Sequence, residues 1–228
     1  MTVLASLLLA DSRLPTGGHA HSGGVEAAVD RGLLRDEADL ALFLAGRLRG
    51  SAPVLAAAAA AGCLLAADPG SEWDRWDAAV SARIPSAATR EASRAQGAAL
   101  LRTARRAWPC AALEALCLAG RPHHPLVLGA VVAATGDGAD AAGLLAVHHL
   151  LGGVCAAAVR LLGLDPIAVA VVQARASRPA EQAAQDGARV AREAVAQRDP
   201  RLLPSTGTPL PEVLAELHAR TEVTLFAS

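Results

Sequence analysis

Six consecutive alanines, Ala56 to Ala61, stand in the middle of S-A-P-V-L-A-A-A-A-A-A-G-C-L-L. Alanine has the highest helix propensity and offers a neighbour only a methyl group. The run is therefore helical, and whatever packs on it comes close. Val54, Leu55, Leu64 and Leu65 give it an apolar stripe that needs a partner, which separates it from low-complexity sequence. Gly50 reads as the end of the preceding helix and Ser51 as the cap of this one, which runs to Ala67 before the turn Asp68-Pro69-Gly70. Composition supports helix throughout: 53% of residues are apolar, yet the chain has no Tyr, two Phe and three Trp, few of the aromatic residues that strands favour. The 228 residues suffice for one sizeable core. The expectation is an all-α, single-domain bundle of roughly eight to ten helices.

Upstream, an apolar helix Leu4–Ala10 stops at Asp11, Pro15 and Gly17-Gly18 form a tight turn, and a second helix runs from His21 to Asp30, closed by Gly32. Asp36 caps a helix carrying Leu40, Phe43, Leu44 and Leu48. Ser71 with Asp74 resembles a capping box at the Trp73/Trp76 helix. Ser86 opens a helix that reaches Trp108-Pro109, and Gly97 inside it points to a close helix crossing. The longest helix by this reading is Ala139–Leu162, with a buried stripe Leu144, His148, Leu151, Cys155, Val159 and Leu162, and with Gly152-Gly153 admitting a neighbour. Asp165-Pro166 opens a last long helix that Ser177-Arg178-Pro179 kinks or restarts. From Asp199 to Pro211 the chain turns to Pro, Ser, Thr and Gly, giving a division into a bundle, 1–198, and a linker with a C-terminal partner-docking tail, 199–228. Val213, Leu214, Leu217, Leu225 and Phe226 make that tail too apolar to stand free, and on this reading deletion of 212–228 leaves the melting temperature nearly unchanged.

The chemistry that the sequence offers is sparse. There is no phosphate-binding G-x-x-x-x-G-K-[ST], no H-E-x-x-H and no G-x-S-x-G, which argues against an enzyme. Basic and acidic residues nearly cancel, 21 against 22, so no overall field draws nucleic acid or an anionic membrane. Cys63, Cys110, Cys117 and Cys155 lack zinc spacing and read as free thiols in a reducing compartment. The first residues have no basic region, and Asp11 and Arg13 break their apolar run, so they fit neither a signal peptide nor a membrane span; a cytoplasmic protein is expected. His148 and His149 point about 100° apart on a helix and make a poor metal pair. His19 and His21 chelate better in an extended segment, and with Glu26 they also define an alternative, a helical enzyme or a metal carrier.

The order of motifs resembles a known family. L-x-D-S-x-L-P-x-G-G followed by Glu26, A-S-x-x-Q-G-x-x-L-L-R at Ala92–Arg102, H-H-P-x-x-x-G at His123–Gly129, A-A-A-V-R-L-L-x-L at Ala156–Leu164, and His218 with Leu225-Phe226 are similar to the UreF family of urease accessory proteins. Two departures stand out: histidines occupy positions 19 and 21 where the family commonly carries aromatic residues, and L-H-A-R at Leu217–Arg220 replaces the family's R-H-E-T. The resemblance implies a dimeric, non-catalytic helical scaffold that binds UreD (UreH), recruits the GTPase UreG and docks on apo-urease for nickel insertion. It implies no tightly bound cofactor, with nickel handled by the assembly and GTP by UreG. Pro15, Gly17, Gly18, Glu26, His218, Arg220, Leu225 and Phe226 are the candidate partner-binding residues, and His19 and His21 the weak candidates for touching metal.

Overall fold

The computed structural model describes residues 3–11, 14, 23–207 and 209–219. Among these the chain is all-α, as composition implied, with eleven α-helices: α1 (Val3–Ala10), α2 (Val25–Asp30), α3 (Glu37–Leu65), α4 (Trp73–Ser81), α5 (Ala87–Ala107), α6 (Ala111–Leu118), α7 (His124–Ala134), α8 (Ala139–Leu162), α9 (Pro166–Arg175), α10 (Ser177–Ala196) and α11 (Pro209–His218). Several ends are set by the signals read in the sequence. Asp36 accepts from Asp39 N at 2.9 Å, Ser86 Oγ from Thr89 N at 3.0 Å and Asp165 from Ile167 N at 3.0 Å. The chain restarts between α9 and α10 at Ala176.

The alanine run is the axis of the molecule. Ala56 to Ala61 are all buried on α3, and α7, α8 and α10 pack around it. The close approach is made by glycines on two of the neighbours: a Cβ on Gly129 of α7 would lie 1.9 Å from Ala59 O, and one on Gly187 of α10 would lie 2.6 Å from Ala56 Cβ. Gly97 of α5 likewise meets the chain entering α7, where a Cβ would fall 2.2 Å from Pro122 O, so the crossing expected there is present. Two apolar clusters result. One joins the C-terminal half of α3 to α4–α7, and the other joins its N-terminal half to α2, α8, α9 and Leu214 of α11. By length and composition α3 and α8 could each cross a membrane, but 72% and 56% of their most apolar windows are buried in the protein.

Several local expectations are corrected. The helix does not end at Gly50: α3 passes through Gly50 and Pro53, and is therefore longer than α8. The amide that Pro53 lacks would have served Arg49 O; one residue on, Thr206 Oγ1 donates to Gly50 O at 2.6 Å from outside the helix. Ser71 forms no capping box; its Oγ donates to Leu65 O at 2.7 Å, and the cap of α4 is Glu72. The described part of the second helix starts at Val25, after Gly23 and Gly24 at φ 62° and 89°, a left-handed turn rather than helix. On α8, Leu151 and Cys155 are buried, but Leu144 and His148 are exposed. The buried arc runs instead through Gly143, Val147, Leu151, Val154 and Ala158, because α3 and α10 come so close that mostly small side chains fit. Gly152 and Gly153 meet no neighbour; a Cβ on either would have open space.

The C-terminal segment also differs from expectation over its described part. Residues Pro209–His218 are a helix of this bundle, α11, lying on α2 and α5 with Leu214 1% exposed. Arg220, Leu225 and Phe226 lie outside the described residues.

Candidate functional site

Of the residues singled out in the sequence, Glu26 and His218 come together. His218 Nε2 lies 3.4 Å from Glu26 Oε2, with side-chain exposures of 4% and 7%. A buried carboxylate is costly without a partner, so this contact ties α2 to α11 across nearly the whole sequence. Pro211 of α11 sits over Gly24, its O 3.6 Å from where a Cβ would be, an ordinary contact distance; it is the φ of 89° that favours glycine there. Pro15, Gly17, Gly18, His19 and His21 lie outside the described residues, as do Arg220, Leu225 and Phe226. The alternative acid/base group thus has one described member, Glu26, and it is buried against His218.

A second set of contacts, which the sequence reading missed, seats α11 on the start of α5. Ser86 N donates to Glu212 Oε2 at 2.9 Å, Ser86 Oγ to Glu216 Oε1 at 2.7 Å, and Ala88 N to the same oxygen at 3.0 Å. Glu212 and Glu216 are four apart and share a helix face. They place negative charge where the first amides of α5 lack intrahelical acceptors and the helix dipole is positive. The E-x-x-x-E spacing was legible; its target, an N-terminus far back in the chain, was not.

Between α1, α3, α5, α8 and α11 runs a groove with a cavity of about 290 Å³. Leu9, Val54, Leu55, Val154 and Pro211 supply apolar wall, and Gly23, Gly24, Gly152 and Gly153 keep it open. Its polar groups include His148, His149 and Arg47. His149 Nε2–H donates to Leu9 O at 2.8 Å, and burial pushes its pKa down. His149 lies 6.0 Å, ring centre to ring centre, from both His124 and His148, but no group of three or more His, Cys, Asp or Glu among the described residues could hold a metal ion. Arg47 is the anomaly. Its Nε is enclosed and has no hydrogen-bond partner among the described residues, and burial pushes the guanidinium down to about 10, opposed in part by the charge of Glu212. It remains charged at neutral pH.

Beside the groove, His123 at the start of α7 is wholly buried between two hydroxyls, Ser81 Oγ at 2.8 Å from Nε2 and Ser93 Oγ at 3.0 Å from Nδ1. Asp77 accepts from His123 N at 2.8 Å and from Arg94 Nη2 at 2.8 Å. Desolvation outweighs Asp77 and pushes the imidazole down to about 4, so the ring is neutral. This joins α4, α5 and α7. The thiols of Cys63 and Cys155 are pushed up to about 11 by burial and are correspondingly inert.

Comparison with known proteins adds identity to this geometry. A sequence model of the UreF family matches residues 34–177. A protein of Mycolicibacterium vanbaalenii named urease accessory protein UreF is 42% identical over 232 residues, covering 100% of both chains. Proteins of the same name from Mycobacterium bovis and Mycobacterium tuberculosis are 42% and 41% identical, again over 100% of both chains.

Proposed function

The chain belongs to the UreF family of urease accessory proteins, and from that premise we propose that it is a non-catalytic scaffold of urease maturation. In this reading it is a cytoplasmic homodimer that binds UreD (UreH), brings the GTPase UreG to apo-urease, and takes part in delivering nickel as cargo without holding metal or nucleotide tightly itself. The observation that carries the reading is full-length similarity to proteins of that name. The structure is compatible with it: exposed Leu4, Leu7 and Leu8 on α1 and Leu210, Val213 and Leu217 on α11 form apolar surface suited to an interaction protein. Pro15, Gly17, Gly18, Arg220, Leu225 and Phe226 are assigned to partner contact. Glu26 and His218, being buried, serve by holding α2 to α11. The test is co-purification of the tagged chain with UreD, with metal content and GTP turnover measured on the chain alone. Retention of UreD with neither stoichiometric nickel nor GTP hydrolysis is expected. Submicromolar nickel binding lost in His19→Ala would replace the scaffold with the carrier, and failure to retain UreD would remove the reading.

A further inference from the structure

The enclosed Nε of Arg47, without a hydrogen-bond partner among the described residues, contrasts with the guanidinium groups of Arg83 and Arg94. Arg83 spends its guanidinium on carbonyls of Ala79, Pro200, Arg201, Leu203 and Pro204, and Arg94 spends its own on Asp77, Ser81 Oγ and Arg121 O. Arg47 lies in the wall of an apolar groove with its Nε unmatched. Glu212, whose charge acts on it, is already bonded to Ser86 N. An enclosed donor left without an acceptor costs stability, and a guanidinium is the side chain best matched to a carboxylate. We propose that Arg47 anchors a docking groove that receives a carboxylate side chain set among aliphatic residues of a partner protein. This deepens the scaffold reading and rests on it. A protein rather than a small acid fits because α1 and α11, which line the groove through Leu9, Ala10, Pro211 and Ala215, also expose Leu4, Leu7, Leu8, Leu210, Val213 and Leu217, which a ligand confined to the cavity would leave in water.

The test uses the full chain, with the Arg47 Nε–H resonance followed by NMR and assigned by its loss in Arg47→Met. The probes are N-acetyl-Leu-Glu-Leu-amide, the same peptide with Gln for Glu, and octanoate. The Glu peptide is expected to shift that resonance with millimolar affinity, the Gln peptide to do so at least tenfold more weakly, and Arg47→Met to lose all binding. Removing an enclosed donor that has no partner should leave the melting temperature of Arg47→Met unchanged or raised, while urease activation in cells falls at least tenfold. A lowered melting temperature would make Arg47 structural, and no shift at Arg47 with the Glu peptide would leave it without a ligand; either overturns the proposal. Tighter binding of octanoate than of the peptide would assign the groove to small carboxylates, and a dimer lost in Arg47→Met would assign it to a second copy, again overturning it. Failure of the unmodified chain to support urease activation would remove the scaffold reading instead, while the peptide titration still decides what Arg47 binds.

Discussion

At the scale of single residues, two glycines of similar appearance have opposite roles. Gly129 faces backbone on α3, where alanine would place Cβ 1.9 Å from Ala59 O, whereas Gly152 faces open space on α8. Gly129→Ala should therefore cost at least about 2 kcal/mol, or roughly 4–8 °C of melting temperature, and Gly152→Ala should gain about 0.5–1 kcal/mol through helix propensity. Thermal melts of the pair check both signs, and equal effects would contradict the packing described. His123 gives a pH dependence of definite sign. Folded, its pKa lies at about 4, while unfolded it returns to about 6.5, so between those values the unfolded chain binds a proton that the folded chain refuses. Stability from this group is complete above pH 6.5 and is lost as pH falls towards 4, by about 2–3 kcal/mol. Urea titrations at pH 7.5 and 5 should show that loss in the natural chain and a smaller one in His123→Asn.

At the scale of elements, α11 is where sequence and structure differ most, and the reason is physical. A Pro-punctuated run before an amphipathic helix looks the same whether the helix packs on its own chain or on another's. What decides is the far surface: the N-terminus of α5 and buried Glu26 are both complemented by α11. Deleting residues 209–228 should accordingly lower stability by more than about 3 kcal/mol, since Leu214 alone contributes roughly 1.5–3 and an unpaired buried carboxylate remains. An unchanged melting temperature would show that the helix is only lightly attached. Caps at Asp36, Ser86 and Asp165 were legible because each is a local bond within three residues. The stripe on α8 was misread because a period drawn through large side chains misses a face whose contacts are largely between small ones.

At the scale of the whole molecule, the alanine run was the most informative stretch of sequence, since it implied close neighbours, and α7, α8 and α10 are those neighbours. Not legible was which helices they would be, or that glycines on α7 and α10 would meet the run. Backbone amides of Ala56–Gly62 should exchange hydrogen only on global unfolding, and those of α1 and α11 through smaller openings. Exchange measured by mass spectrometry on peptides from these helices checks the order, and early exchange in the alanine run would contradict its central place. The Glu26–His218 contact carries a consequence for biosynthesis. Glu26 leaves the ribosome long before His218, so its carboxylate lacks that partner until α11 has been made, even where α2 has already met α8. Ribosome-arrested chains ending at residue 207 should remain open to protease at α2 while the helices around the alanine run already resist it. What α11 secures, it secures after the helices around the alanine run have been made.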